Sequence, residues 1–270
     1  MTTPAPLTDT HALHLHRARA STFFLQEAAA DEIQDRLGMV NRSFTKPAIV
    51  TPFHQVWAGR MSDARICPDA ETLALSEQAH DLVIHAMGLH WANDPVGQLI
   101  QCRRALKPDG LLIVACLGGR TLEELRSCLG QAEIAVSGGL SPRIAPMGEI
   151  RDLGALLQRA GLALPVADGL SLDVEYRDAW HLMRDLRAMG EANALAARQR
   201  TNGSRQLFEE TTRLYRDHFS TQDGRVRATF EMVFLTGWAP DESQQKPLRP
   251  GSAKQRLADA LAVPETPLPD

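Results

Sequence analysis

Between positions 21 and 40 the apolar residues recur with the period of an α-helix. Phe24, Ala28, Ile33, Leu37 and Val40 lie near one stripe, with Glu27, Asp31, Glu32, Asp35 and Arg36 largely off it. Ahead of that helix, residues 1–16 are rich in Pro, Thr and His and read as a mobile terminus. After it, residues 46–52 form a short apolar run boxed by Pro47 and Pro52, a candidate first strand. Pro52 ends it, because proline has no N–H to donate to a sheet ladder.

Residues 81–87 and 111–117 are continuous apolar runs with β-branched members, the pattern of strands buried on both faces. Between them, Asn93-Asp94-Pro95 supplies an N-cap and a first-turn proline for a helix over 95–106. Residues 107–110, Lys-Pro-Asp-Gly, read as the turn into the second run. Two buried strands around one helix make a βαβ crossover, hence a parallel pair. Thr121 and Glu124 have capping-box spacing ahead of a helix to about 136. A Gly- and Pro-rich loop over 137–148 leads into a helix over 149–160, closed by Gly161. Two short strands near 164–167 and 170–174, a helix capped by Asp178, a helix over 204–219 and a strand over 228–238 follow. The pattern divides the chain into a flexible segment (1–20), one α/β domain (21–240) and a peripheral tail (241–270).

Composition adds exclusions. A length of 270 residues, with 44% hydrophobic and 23% charged residues, suits one substantial core. A formal net charge of −4 argues against non-specific nucleic-acid binding, which needs a basic surface. No apolar run approaches the roughly 18 residues of a membrane span. The opening residues lack the apolar core of a signal peptide, so a cytoplasmic location is the expectation. Cys67, Cys102, Cys116 and Cys128 have no close pairing, which predicts neither disulfides nor a metal cluster. His80, His85 and His90 recur every five residues, a spacing that suits one face of neither a helix nor a strand. No metal site is expected.

From Asp81 onward the blocks become specific. The stretch DLVIHAMGLHWANDPVGQLIQCRRALKPDGLLIVACLGG resembles the fourth strand, helix and fifth strand of a class I S-adenosylmethionine methyltransferase, the group that includes the malonyl-carrier-protein methyltransferase of biotin synthesis. Gly118-Gly119-Arg120-Thr121 through Arg126, Gly138-Gly139-Leu140-Ser141-Pro142-Arg143-Ile144-Ala145-Pro146, Asp152-Leu153-Gly154 and Met189-Gly190-Glu191 with Asn193 resemble the fifth complex I assembly factor family. So does the late block that starts at Gly237-Trp238 and runs to Gln244. The resemblance covers about residues 81–253. It implies a Rossmann-like α/β methyltransferase fold with added C-terminal helices and strands. It implies S-adenosylmethionine as cofactor, and a protein partner such as a subunit of the NADH dehydrogenase under assembly. Methylation and arginine hydroxylation are both activities of such relatives. The cofactor positions it assigns are Asp69, Ala86 and His90; it assigns no catalytic residue.

Two departures weigh against the cofactor. Such folds end the first strand in a glycine loop whose backbone approaches the ligand. Here Thr51-Pro52-Phe53-His54-Gln55 stands in its place, and Gly59 comes too late. Only about 30 residues separate that strand from Asp81, room for one further strand with its crossover rather than two. The strand bearing the ribose-binding acid is therefore expected to be lost, and 64–73 to be the third strand and its loop, giving a shortened N-terminal half. Local readings remain open beside these: Asp69 as a turn residue after Pro68, His90-Trp91 as a packing pair, Arg143 as a solvated loop cation. Three functions stay open: an enzyme, a binding module that has lost its cofactor, and a small-molecule carrier.

Overall fold

The computed structural model describes residues 5–201 and 203–245. Among the described residues, 5–240 form one compact unit and 241–245 fall outside it. From residue 246 the expected tail lies outside the described residues.

The elements are α1 (Thr10–Arg17), α2 (Phe24–Met39), β1 (Pro47–Val50), α3 (His54–Trp57), β2 (Arg65–Cys67), β3 (His80–Ala86), a 3-10 turn (Leu89–Trp91), α4 (Pro95–Ala105) and β4 (Leu106–Gly118). They continue with α5 (Glu123–Ser137), α6 (Ile150–Arg159), β5 (Ala163–Tyr176), α7 (Ala179–Ala188), α8 (Arg205–Phe219) and β6 (Val226–Trp238). One six-stranded sheet takes the order β2-β1-β3-β4-β6-β5. Its first four strands are parallel, and β6 runs antiparallel to both β4 and β5. Among the described residues only β2 lies beyond β1, with Ile49 opposite Ile66 and Val50 opposite Cys67. The first half is therefore short by one strand and its crossover, as the spacing predicts.

Alternation along the central strands builds two layers. Ile49, Leu82, Ile84, Leu111, Ile113, Phe230 and Phe234 join α2, α3, α5, α7 and α8 on one face. Val50, Val83, Leu112, Val114, Cys116, Val233 and Leu235 meet α4 and α6 on the other. All are buried, and each fully buried Leu, Ile, Val or Phe side chain contributes about 1.5–3 kcal/mol.

Four local expectations differ from the structure. The mobile terminus is a docked helix: Asp9 caps α1 by accepting from the Ala12 N–H, and Leu13 is buried. Thr8 pairs with Leu195 and exchanges hydrogen bonds with Asn93, tertiary contacts that no local pattern reveals. The capping box does not form. Thr121 Oγ1 donates to the Gly118 carbonyl and accepts from the Glu231 N–H, while Glu124 is buried against Thr229. The two short strands are one, β5, because β6 pairs along its whole length, with a bulge near Ala163 and Val166. The turn at 107–110 is absorbed into β4: as β3 advances from His80 to Leu82, its partner advances from Leu106 to Leu111.

Candidate functional site

Ligands of open α/β folds collect beyond the carboxyl ends of the parallel strands. Here those ends are Val50, Cys67, Ala86 and Gly118. Beyond β1, Thr51 Oγ1 accepts from the Phe53 N–H at 3.2 Å, starting the single turn of α3. Phe53 and Trp57 are 1% and 2% exposed and belong to the core. Phe53 packs on Phe23 with ring centroids 5.7 Å apart. The segment after β1, where the resemblance places a glycine loop, is thus anchored in the core by aromatic side chains.

Asp69 follows β2 and lies within this end of the sheet. Its Oδ2 accepts from Arg17 Nη1 at 2.8 Å, with the two side chains 12% and 9% exposed. Gly88 makes room for it, since a Cβ there would stand 2.4 Å from Asp69 Oδ2. Gln98 of α4 fixes the backbone around it. Its amide donates to the carbonyls of Asp69 and Ala70, and its oxygen meets His85 Nε2 at 2.7 Å. Burial holds the His85 imidazole below its ordinary pKa, although Asp69 and the Gln98 hydrogen bond pull the other way. Ala86 is 2% exposed within the core. It does not line the cavity described below.

His90 sits on the 3-10 turn between β4 and the segment after α7. Its Nδ1 accepts from the Leu117 N–H at 3.4 Å, which leaves the ring proton on Nε2. Nε2 then donates to Glu191 Oε2 at 3.2 Å, and Trp91 Nε1 donates to the same oxygen at 2.6 Å. Burial raises the Glu191 pKa, but the hydrogen bonds from His90 and Trp91 and the Arg17 charge outweigh it and hold the carboxyl below its usual range. Arg17 Nε and Nη2, Glu191 Oε1 and His85 Nδ1 are buried without a hydrogen-bond partner among the described residues.

The structure therefore brings two of the three sequence-derived positions into a polar cluster, Asp69 and His90, and leaves Ala86 in the core. Sequence reasoning missed Arg17, which lay in the segment 1–20 expected to be flexible. Glu191 entered only as part of the Met189-Gly190-Glu191 block, and that block was the available signal. Gly190 has φ +80°, and a Cβ there would meet Arg17 Cα at 3.1 Å, so the turn that delivers Glu191 also seats α1. Among the described residues no three His, Cys, Asp or Glu side chains gather as metal ligands do.

Beside Trp91 and Glu191 lies a cavity of about 210 Å³. Leu122, Leu125 and Leu129 of the α5 region, Ile144 of the following loop, Met183 of α7 and Phe208 of α8 wall it. Arg143 and Arg187 are its cations. Arg143 is held by Glu133, with Nη2 2.6 Å from Oε1.

A family profile described as a methyltransferase domain matches residues 42–114. The mitochondrial arginine-hydroxylase NDUFAF5 of Danio rerio is 39% identical over 198 residues, 73% of this chain and 61% of that protein. The malonyl-[acyl-carrier protein] O-methyltransferase of Laribacter hongkongensis is 36% identical over 188 residues, 70% of this chain and 61% of that one. The chain thus spans less than two thirds of the length of these relatives. Among solved structures, phosphoethanolamine N-methyltransferase 2 of Haemonchus contortus, in complex with S-adenosyl-L-methionine, is similar at 11% identity and a TM-score of 0.44, over 87% of this chain and 58% of that one.

Proposed function

We propose, from the match of residues 42–114 to a methyltransferase-domain profile and the similarity to the NDUFAF5 arginine hydroxylases and malonyl-carrier O-methyltransferases, that the chain is a methyltransferase-fold, partner-binding factor that has given up S-adenosylmethionine. The observation that carries this reading is the Arg17–Asp69 pair. The acid that the resemblance assigns to the cofactor is neutralised by the chain's own α1. Phe53 anchors the neighbouring segment in the core, and one strand of the cofactor half is missing among the described residues. A ligand entering here has to separate a nearly buried ion pair, which costs about 3–5 kcal/mol when one partner is left alone. The partner implied by the resemblance is a protein subunit of the NADH dehydrogenase, held during its assembly.

A second reading, methyl transfer or arginine hydroxylation, is favoured by one feature: the cavity beside Trp91 and Glu191 persists at the strand ends. Calorimetric titration separates the two. With S-adenosylmethionine and S-adenosylhomocysteine, no binding up to millimolar ligand is expected, together with co-purification of a dehydrogenase subunit on co-expression. Micromolar binding, about −8 kcal/mol, supports the enzyme reading and sinks the first.

A further inference from the structure

The cavity beside Trp91 is walled mainly by apolar side chains, and its few polar groups are unevenly occupied. Arg143, Arg187, Glu191 and Asn193 carry the charge and the amide of the lining. The acceptors among them are spent or enclosed. Glu191 Oε2 receives the Trp91 and His90 donors, and Oε1 is enclosed by protein. Asn193 Oδ1 accepts from the Leu195 N–H at 3.0 Å, and its amide donates to the Pro142 carbonyl at 2.9 Å.

The cationic donors are in a different state. Glu133 Oε1 accepts from Arg143 Nε at 3.0 Å and from Nη2 at 2.6 Å, which fixes that guanidinium. Arg143 Nη1 has no partner among the described residues, and it is not one of the enclosed atoms. Arg187 on α7 is exposed and makes no side-chain hydrogen bond or ion pair among the described residues. The cavity thus offers free cationic donors beside apolar carbon, and no free side-chain acceptor. A ligand head that accepts and does not donate matches such a lining. An arginine or lysine side chain does not, because it brings more donors to two guanidinia.

Charge and size narrow the class. Glu133 neutralises Arg143, which leaves the charge of Arg187 uncompensated among the described residues. One negative charge balances it, so a carboxylate fits better than a phosphate, which carries nearly two. An apolar cavity of about 150 Å³ takes one benzene ring. The cavity here, about 210 Å³, has room for one ring with a short acidic arm. We propose that it is a binding site for a small carboxylic acid with a single ring or a branched aliphatic body, whose carboxylate accepts from Arg187 and Arg143 Nη1. Such a site requires neither a protein partner nor S-adenosylmethionine.

Met147 and Met183 both line the cavity, so their methyl groups report its occupancy; Met39, 77% exposed on α2, is the control. The test is an NMR titration of the full-length protein, isotopically labelled at its methionine methyls. The ligands are phenylacetate, isocaproate, the neutral phenylacetamide and the cationic phenethylamine. Both acids are expected to move the Met147 and Met183 signals saturably and to leave Met39 in place. The amide is expected to bind at least about tenfold more weakly, having lost the charge-assisted bonds, and the amine not at all. Arg187→Gln alters an exposed, unpaired side chain, so the melting temperature should hold while phenylacetate falls to the affinity of the amide. Failure of both acids to saturate in the millimolar range overturns the proposal. So does equal binding of the amide or the amine, or an Arg187→Gln variant that binds phenylacetate as well as the parent. Movement of the same two methyls by S-adenosylmethionine assigns the cavity to the cofactor and overturns it too. Calorimetric binding of S-adenosylmethionine that leaves those methyls still defeats only the partner-binding reading.

Discussion

Trp91 and Glu191 lie 100 residues apart and share one hydrogen bond of 2.6 Å, with His90 donating to the same oxygen. That acceptor ties the 3-10 turn after β3 to the turn after α7. Glu191→Ala leaves two buried donors without it, each costing about 1–3 kcal/mol, so urea unfolding should show a loss of about 2–4 kcal/mol. Glu191→Gln keeps an acceptor and should lose less. The pH sign follows from the depressed carboxyl: its contribution is present above the unfolded pKa, about 4.3, and is lost as pH falls through the lower folded value. Equal losses in the Ala and Gln variants contradict the role.

The Arg17–Asp69 pair predicts a non-additive cycle. Arg17→Met and Asp69→Leu should each cost about 3 kcal/mol, because each strands a nearly buried charge. The double variant should recover most of that. Additive losses in the cycle, read by chemical denaturation, mean that the two side chains do not depend on one another.

His85 predicts an acid-side loss. Its folded pKa lies below the ordinary value, so below about pH 6.5 the unfolded chain takes up a proton that the folded chain refuses. Stability should fall as pH drops through that region, with a slope of up to about 1.4 kcal/mol per pH unit from this residue. His85→Gln should flatten the curve between pH 7.5 and 5.5. An unchanged slope in the variant locates the loss elsewhere.

All four thiols are buried. Burial pushes Cys116 up to about 12 and Cys128 up to about 11, and raises Cys67 and Cys102 as well. The thiolate is the reactive form. Ellman's reagent at pH 8 should therefore find no fast thiol in the native protein and four in denaturant. A rapid native thiol contradicts the packing around whichever cysteine reacts.

Where one element carried its own signal, the sequence sufficed. β3 and β4 are legible because both faces are buried, which forces the continuous apolar runs at 81–87 and 111–117. The helix stripe at 21–40 gave α2, Asp94 and Asp178 cap the helices expected of them, and the helix expected over 204–219 is present, with Ser204 as its cap. α1 was not legible, because its two buried residues, Ala12 and Leu13, make no stripe. What holds it is polar and distant: Asp9 to Arg198, Thr8 to Asn93, Arg17 to Asp69. β5 looked broken at Asp168-Gly169 because its outer positions are polar, and its continuity comes from β6. The site divides in the same way. Asp69 and His90 came from a resemblance, whereas their partners Arg17 and Glu191 stand 52 and 101 positions away. Local spacing does not encode such pairs.

The strand order also has a consequence for biosynthesis. Among the described residues β6 is the last strand, yet it lies between β4 and β5. Until residues 226–238 leave the ribosome, β5 has no ladder and the outer edge of β4 is bare, from Leu111 to Gly118. A nascent chain halted at residue 220 therefore holds every helix described here but only four strands of the sheet in place. Such a chain carries two open edges that pair readily with other chains. The final 13-residue strand closes both.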